Sequence, residues 1–285
     1  MGIPLLFTQT REESVTLKRE VKMDIGVSTA TFFLRRYNED SISIIKDLGG
    51  RTCEVFLECP SEYTKEYGEL LLERKGDLKV HSIHAVTMNY ETELFNSFDR
   101  AYNDALKSFS DVLNIGKMLG ASCYTMHGRA RIKKGADYDN YVKNGKRLEE
   151  LCNFARNYDI QICLENVPWA LCNRPEYFRE IVKYAPSLCA TLDVKQARIS
   201  GYDYREYLNA MGQRIRTVHL SDVDENGKIR LPGKGTFDFE ELFKRLKDVG
   251  FNGDMLIEVY KDDYQDEREI TQSLEYLNNL KNKIF

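Results

Sequence analysis

Carboxylate and imidazole side chains follow most of the short apolar runs in this sequence, and these residues could carry out chemistry. Seven runs end in or next to such a residue, namely Glu58, His84, His127, Glu165, Asp193, His219 and Glu258. In closed α/β barrels the reactive side chains project from the carboxyl ends of the strands. Any one of these residues alone could be an ordinary hydrogen-bonded polar residue at a strand end. The occurrence of several together is what indicates a functional site.

The last four of these runs place three carboxylates and one imidazole on consecutive strands. If those strands are neighbours, Glu165, Asp193, His219 and Glu258 meet in one small volume, where the carboxylates would repel one another without a cation. An oxygen-rich set with one imidazole suits Mn²⁺, Mg²⁺, Co²⁺ or Zn²⁺. We therefore predict one divalent metal ion held by these four residues, and the ligand types do not select among the metals.

The elements that must position these residues repeat from Met23 onward. Short β-rich apolar runs alternate with longer segments in which apolar residues recur at helical spacing. The predicted strands cover residues 24–28, 52–59, 78–84, 122–127, 160–165, 189–193, 215–220 and 254–260. Glycines stand where the helices should end, at Gly49, Gly120, Gly212 and Gly250. Eight such pairs favour an α/β protein with a closed (β/α)8 TIM barrel over an open sheet.

Residues 1–22 do not belong to this repeat, and we interpret them as a short N-terminal extension without an assigned function. Single α/β barrels commonly reach about 250 residues. In this chain of 285 residues we therefore expect one domain, formed by residues 23–285.

Composition narrows the classes of partner. The 41 Lys and Arg residues are spread along the chain and outnumbered by 45 Asp and Glu, whereas a nucleic-acid surface needs clustered cations. No run approaches the roughly 18 apolar residues of a membrane span. The seven cysteines contain no C-x-x-C pair, and no secretion signal precedes Arg11. We expect a cytoplasmic protein without a nucleic-acid or membrane partner.

Local motifs at the predicted strand ends carry a family resemblance. They are Leu164-Glu165-Asn166, Thr191-Leu192-Asp193, Val218-His219-Leu220-Ser221-Asp222, Pro232-Gly233-Lys234-Gly235 and Leu256-Ile257-Glu258. Together with the βα repeat, from about Met23 to the C-terminus, they resemble the xylose isomerase-like superfamily. That superfamily contains sugar isomerases, ketose epimerases, enzymes of inositol derivatives and the endonuclease IV type of abasic-site nuclease (AP endonuclease family 2). The motifs are specific for the superfamily and weak for any one substrate.

The resemblance to the epimerases implies roles for the four predicted ligands. In those enzymes the matching residues bind the metal, and the residues matching Glu165 and Glu258 also act as acid and base. A positioned carboxylate can contribute about 10²–10⁴-fold as a general base. The fifth and eighth strands lie about 135° apart around an eight-membered ring, so the two glutamates can flank a substrate from different sides.

Six further residues are predicted to contact the substrate: His84, His127, Gln196, Arg230, Trp169 and Glu58. Gln196 stands where the epimerases have a sugar-contacting His, and an amide can also hydrogen-bond to hydroxyls. Arg230 could reach over the metal and hold a hydroxyl, carboxylate or phosphate, or it is simply exposed. Trp169 could form an apolar wall against a sugar ring, or it packs in the core.

The nuclease members resemble the chain in fold and hold three zinc ions with nine ligands. Six of the nine positions match this chain. The other three are filled by Gln196, Lys228 and Arg230, and cations in place of ligands would repel a metal. We therefore expect one metal site rather than three.

These residues predict a metal-dependent isomerase or epimerase that acts on a sugar, sugar phosphate or related polyol by proton transfer next to an oxygen held by the metal. The alternatives are an inosose-type dehydratase on the same scaffold, an endonuclease IV-like nuclease and a non-catalytic metal-binding barrel. The partner expected is a small carbohydrate. The substrate, the metal and whether the chain forms a homo-oligomer stay open.

Overall fold

The computed structural model describes residues 23–132 and 137–285, so the predicted extension at 1–22 lies outside the described residues. Eight parallel strands form the barrel: β1 (Ile25–Ser28), β2 (Thr52–Leu57), β3 (Lys79–Ala85), β4 (Cys123–Met126), β5 (Gln161–Glu165), β6 (Cys189–Asp193), β7 (Ile215–Leu220) and β10 (Asp254–Ile257). They pair in that order, and β10 pairs with β1 to close the ring. The predicted (β/α)8 barrel is confirmed. An antiparallel hairpin of β8 (Asp222–Val223) and β9 (Ile229–Arg230) follows β7.

Most strand bounds agree within one residue, but two predicted strands extend further past the observed carboxyl ends. The second was expected to reach residue 59 but ends at Leu57, because Pro60 begins a 3₁₀ turn over Pro60–Glu62 and cannot donate a ladder hydrogen bond. The eighth was expected to reach residue 260 but ends at Ile257. Glu58 and Glu258 therefore lie in the loops directly after their strands.

The described part of the chain contains ten α-helices: α1 (Asn38–Asp47), α2 (Lys65–Lys75), α3 (Thr87–Tyr90), α4 (Asp99–Leu119), α5 (Tyr141–Arg156), α6 (Pro175–Ile181), α7 (Val194–Ile199), α8 (Tyr204–Met211), α9 (Phe239–Asp248) and α10 (Arg268–Ile284). Neighbouring helices pack on one another around the barrel, as α1 does on α2, α2 on α4, α6 on α8 and α9 on α10. None of these helices is long and apolar enough to span a membrane.

Helix α9 shows how local sequence sets these boundaries. The Asp238 side chain caps its first turn by accepting from the Glu241 N–H. The apolar residues at helical spacing, Phe239, Leu242, Phe243 and Leu246, are all buried. The helix stops before Gly250, whose φ of 73° is a left-handed conformation that glycine adopts without strain. The chain then turns into the last barrel strand, which delivers Glu258.

The inside of the barrel is polar at mid-height. Strands β2, β4 and β6 are not neighbours in the ring, so contacts among them cross the interior. Thr125 Oγ1 donates to Glu54 Oε2 at 2.7 Å and lies 3.3 Å from Thr191 Oγ1. Barrel interiors are usually filled by branched apolar side chains. Because Thr125 and Thr191 precede His127 and Asp193 by two residues, this polar layer lies directly below the carboxyl-end residues.

Candidate metal centre

The four predicted ligands meet at the carboxyl end of the barrel. Glu165, Asp193 and His219 lie at the ends of β5, β6 and β7, and Glu258 follows β10. One ligand atom from each lies within 4.8 Å of the others. His219 Nδ1 is 3.1 Å from Glu165 Oε1, 3.8 Å from Asp193 Oδ2 and 3.2 Å from Glu258 Oε2. We call these four residues the quartet.

The donor set fits a divalent cation. Three carboxylates converge on one imidazole nitrogen, and two of their buried oxygens, Asp193 Oδ2 and Glu258 Oε2, accept no hydrogen bond among the described residues. A buried carboxylate oxygen without a partner is costly unless a cation satisfies it. Glu258 retains 12% exposure of its side chain, whereas the other three are almost completely buried. The cluster therefore opens toward solvent on the Glu258 side.

The pKa values of these residues show that the centre of the quartet favours positive charge. Burial acts to lower the pKa of His219, but Glu258, Glu54 and Glu165 outweigh it and raise that pKa well above its ordinary value. Burial acts to raise the pKa of Glu165, but His127 and His219 hold it well below its ordinary value. For Glu258 burial prevails, and its pKa is raised. In the absence of another cation, a proton on His219 supplies part of the charge that the carboxylates require.

His84 and His127 lie beside the quartet, on its Glu165 side. His127 Nε2 is 2.7 Å from Glu165 Oε2, and Thr87 Oγ1 is hydrogen-bonded to Nδ1 of the same ring. The His84 ring packs against that of His127 with centroids 4.5 Å apart, and burial with the neighbouring His127 lowers the pKa of His84 to about 4. These two predicted substrate residues are therefore placed next to the reactive carboxylate.

Trp169 and Gln196 lie near the quartet, Trp169 next to His127 and Gln196 next to Asp193. The Trp169 ring packs on His127 with centroids 4.7 Å apart and stays 40% exposed, so it is not a core residue. The Gln196 N–H donates to Asp193 Oδ1 at 2.8 Å, and its amide Nε2 lies 3.4 Å from the hydroxyl of Tyr260. Both side chains are therefore within the neighbourhood of the quartet.

Arg230 and Glu58 have other partners. The Arg230 guanidinium is 2.9 Å from Asp224 Oδ2, an ion pair that the β8–β9 hairpin creates. The pKa of Glu58 is raised to about 7 by burial and by the nearby carboxylates of Glu62 and Glu39. Among the described residues, neither forms an ion pair or hydrogen bond with the quartet, so their substrate roles stay predictions.

Two buried charged residues in contact with the quartet were missed from the sequence. Lys195 Nζ lies 3.5 Å from Glu258 Oε1, 3.9 Å from Asp193 Oδ2 and 4.2 Å from the ring centroid of Tyr260. Glu54, in the middle of β2, places Oε1 3.1 Å from His219 Nε2. A Lys two residues after a strand is ordinarily solvent-exposed, and a Glu inside a strand ordinarily faces solvent. The sequence pattern therefore did not indicate that either residue is buried beside the quartet.

Comparison with known proteins agrees with this fold. A family model described as "Xylose isomerase-like TIM barrel" matches residues 42–280. An uncharacterized protein of Methanocaldococcus jannaschii is 29% identical over 245 residues, which are 81% of this chain and 86% of that protein. Inosose isomerase of Bacillus velezensis is 22% identical over 214 residues, 71% of this chain and 76% of that enzyme.

Solved structures share the barrel at low sequence identity. D-psicose 3-epimerase with D-tagatose, from Clostridium cellulolyticum H10, superposes with a TM-score of 0.75 at 16% identity over 91% of this chain and 99% of that one. The IOLI protein with a bound zinc atom gives a TM-score of 0.75 at 19% identity, over 92% of this chain and 99% of that one. At these identities the similarity establishes the fold alone.

Proposed function

The chain belongs to the xylose isomerase-like TIM barrel family, and on that premise we propose that it is a divalent-metal-dependent isomerase or epimerase of a sugar, sugar phosphate or related polyol. The observation that carries the proposal is the convergence of Glu165, Asp193 and Glu258 on Nδ1 of His219. The existence of sugar epimerases and inosose isomerases among the similar proteins supports an enzyme of this class.

The quartet would hold the metal ion. Its three carboxylates supply oxygen ligands, and His219 presents Nδ1 to them. When bound, a divalent ion supplies Lewis-acid stabilisation of negative charge on a substrate oxygen, worth several kcal/mol. Mn²⁺, Mg²⁺, Co²⁺ and Zn²⁺ are all compatible with this donor set.

Glu165 and Glu258 would move the proton. Glu258 is the more exposed of the two, so we assign it the removal of a proton from the carbon beside the substrate carbonyl. Glu165 lies three strands away around the barrel and would return a proton on the other side. His127, 2.7 Å from Glu165 Oε2, would orient that carboxylate and exchange protons with it. Return on the opposite face inverts one carbon, which is an epimerisation.

The remaining side chains would bind and orient the substrate. The half-exposed ring of Trp169 offers an apolar wall for the carbon face of a sugar ring. His84 and Gln196 offer a ring nitrogen and an amide to hydroxyl groups. Arg230 would recognise an anionic substituent only after release from Asp224, and Glu58, in the loop after β2, would bind a substrate hydroxyl.

A cyclic polyol is the second candidate substrate. The similarity to inosose isomerases favours it, and a dehydratase of an inosose-type compound would use the same metal and base. An abasic-site nuclease is disfavoured, because Gln196, Lys228 and Arg230 occupy three positions where that class has ligands. Such a nuclease would also require about three zinc ions per chain.

Deuterium exchange tests the proposal directly. The metal-loaded protein is incubated in D₂O with a panel of ketoses, ketose phosphates and inosose-type compounds, and products are analysed by NMR and mass spectrometry. We expect deuterium at a carbon beside the carbonyl of at least one compound, and loss of water would identify a dehydratase. Protein stripped with a chelator is the control. No exchange across the panel, together with about three metal ions per chain, would overturn the proposal in favour of the nuclease.

Lys195→Met is expected to destabilise the metal-free protein and to increase its affinity for metal. Removing a buried cation leaves Glu258 and Asp193 with His219 as their one remaining close positive partner among the described residues, and breaking a buried ion pair typically costs about 3–5 kcal/mol. The same loss removes repulsion toward a divalent ion, so affinity should rise about tenfold or more. Thermal unfolding and calorimetric titration with Mn²⁺ measure the two effects. Lys195→Arg, which keeps the charge, is the control, and weaker metal binding by Lys195→Met would contradict the interpretation.

A further inference from the structure

A fully buried carboxylate lies directly below the quartet, at Glu54 in the middle of β2. Its Oε1 accepts a hydrogen bond from Ser28 Oγ at 3.1 Å, and its Oε2 accepts from Ser82 Oγ at 2.8 Å and from Thr125 Oγ1 at 2.7 Å. The fourth neighbour is His219, whose Nε2 lies 3.1 Å from Oε1. Side chains of four other strands thus surround one carboxylate inside the barrel.

Three hydroxyl groups and one imidazole hold the Glu54 carboxylate inside the barrel. An ionised carboxylate in the interior is costly unless it is paired. The three hydroxyl donors come from β1, β3 and β4, so they fix the position of the carboxylate from several directions. A carboxylate fixed in this way can orient its fourth neighbour, the His219 ring.

The remaining neighbour is the imidazole of the quartet. Nδ1 of His219 faces Glu165, Asp193 and Glu258, so Nε2 points away from them, down into the barrel. There Nε2 forms an ion pair with the carboxylate of Glu54. The N–H of the ring is not aligned with that oxygen for a full hydrogen bond. A histidine that binds metal through one nitrogen usually donates its other N–H to such a carboxylate, which fixes the tautomer and orients the ring.

We propose that Glu54 is the positioning residue of the metal centre: it holds Nε2–H of His219 so that Nδ1 stays free and directed at the three carboxylates. The proposal rests on the proposed function only in requiring that the quartet bind a divalent ion. It assigns no contact between Glu54 and substrate. Loss of such an outer partner typically lowers metal affinity about 10–100-fold.

The test compares Glu54→Gln with the matched variant Glu62→Gln. Glu62 is also a buried carboxylate, close after the same strand, but its partners are Asn38, Tyr67 and the Glu58 N–H, away from the quartet. Both proteins are titrated with Mn²⁺ by calorimetry. We expect an apparent Kd about 10–100-fold higher for Glu54→Gln and a Kd close to that of the parent for Glu62→Gln.

A spectroscopic measurement separates positioning from general support of the fold. With Co²⁺ at saturation, Glu54→Gln should change the visible absorption bands, because the imidazole ligand is reoriented, whereas Glu62→Gln should not. If Glu54→Gln fails to fold, Glu54→Asp keeps the charge, withdraws it from Nε2 by one methylene and should also weaken Mn²⁺ binding. Unchanged Mn²⁺ affinity in a folded Glu54 variant would overturn the inference. If the Glu54 variant binds Mn²⁺ more weakly but the parent protein exchanges no proton on any substrate, the inference about Glu54 stands and the proposed function is contradicted.

Discussion

Glu258→Gln is expected to lower the rate of deuterium incorporation into the substrate by about 10²–10⁴-fold, the contribution of a positioned general base. The amide keeps the size of the side chain and can still accept a hydrogen bond, but it cannot take up a proton. Glu258 is the quartet member with access to solvent, and Lys195 holds its carboxylate from the buried side. The measurement is exchange in D₂O at a metal concentration that saturates the variant.

Metal content must be determined for the same samples, because Glu258 is also a proposed ligand. Glu62→Gln serves as the control, since it makes the same chemical change at a buried carboxylate away from the quartet. Glu165→Gln should also stop turnover, because return of the proton on the other side would fail. Full activity of metal-saturated Glu258→Gln would sink the assignment of this residue as base.

The barrel and the quartet could be predicted because both depend on short-range signals. Strand and helix periods alternate along the chain, and parallel strands bring their carboxyl ends to one face of the barrel. Consecutive strands β5, β6 and β7 are neighbours, so Glu165, Asp193 and His219 had to lie side by side. The carboxyl ends of the strands do not follow from this period, because local turn residues set them. The extension of the second strand to residue 59 overlooked Pro60, which starts a turn.

The residues around the quartet could not be predicted, because their partners come from distant parts of the chain. Glu54 lies between the apolar residues Cys53 and Val55, and its neighbours belong to strands β1, β3, β4 and β7. Only a barrel interior that is polar at mid-height makes a charge there stable. Lys195 reaches Glu258 across 63 positions of sequence. A pattern of residue types does not show which lysine faces inward.

Arg230 illustrates the same limit in the opposite direction. Its position before a Pro-Gly-x-Gly segment suggested a side chain free to reach over the metal. The hairpin of β8 and β9 instead places Asp224 within 2.9 Å of the guanidinium, and the residues of that pair are only six positions apart. A local hairpin can therefore provide an ion-pair partner for a side chain that sequence spacing alone predicts to bind substrate.

Metal affinity is expected to rise with pH, by about tenfold per pH unit below the raised pKa of His219, as binding displaces one proton from that ring. The carboxylates around His219 raise the pKa of its imidazole well above the ordinary value, so the ring of the metal-free protein keeps its proton at a pH where an ordinary histidine has lost it. A metal needs the neutral ring, and protons compete less as the pH approaches the raised pKa. Glu165 does not add to the slope, because its pKa is held well below the ordinary value. Burial raises the pKa of Glu258, so this carboxyl adds to the slope at the acid end of the pH range.

Calorimetric titration with Mn²⁺ in two buffers of different ionisation enthalpy gives both the affinity and the number of protons released. His81→Asn is the matched control. His81 also has a raised pKa but lies at the amino end of the barrel, where its Nε2 contacts Thr217 Oγ1 at 3.0 Å, away from the quartet. The slope should persist in that variant. Affinity independent of pH, with no proton released, would mean that His219 is already neutral, and the charge that the three carboxylates require would have to come from Lys195 and His127.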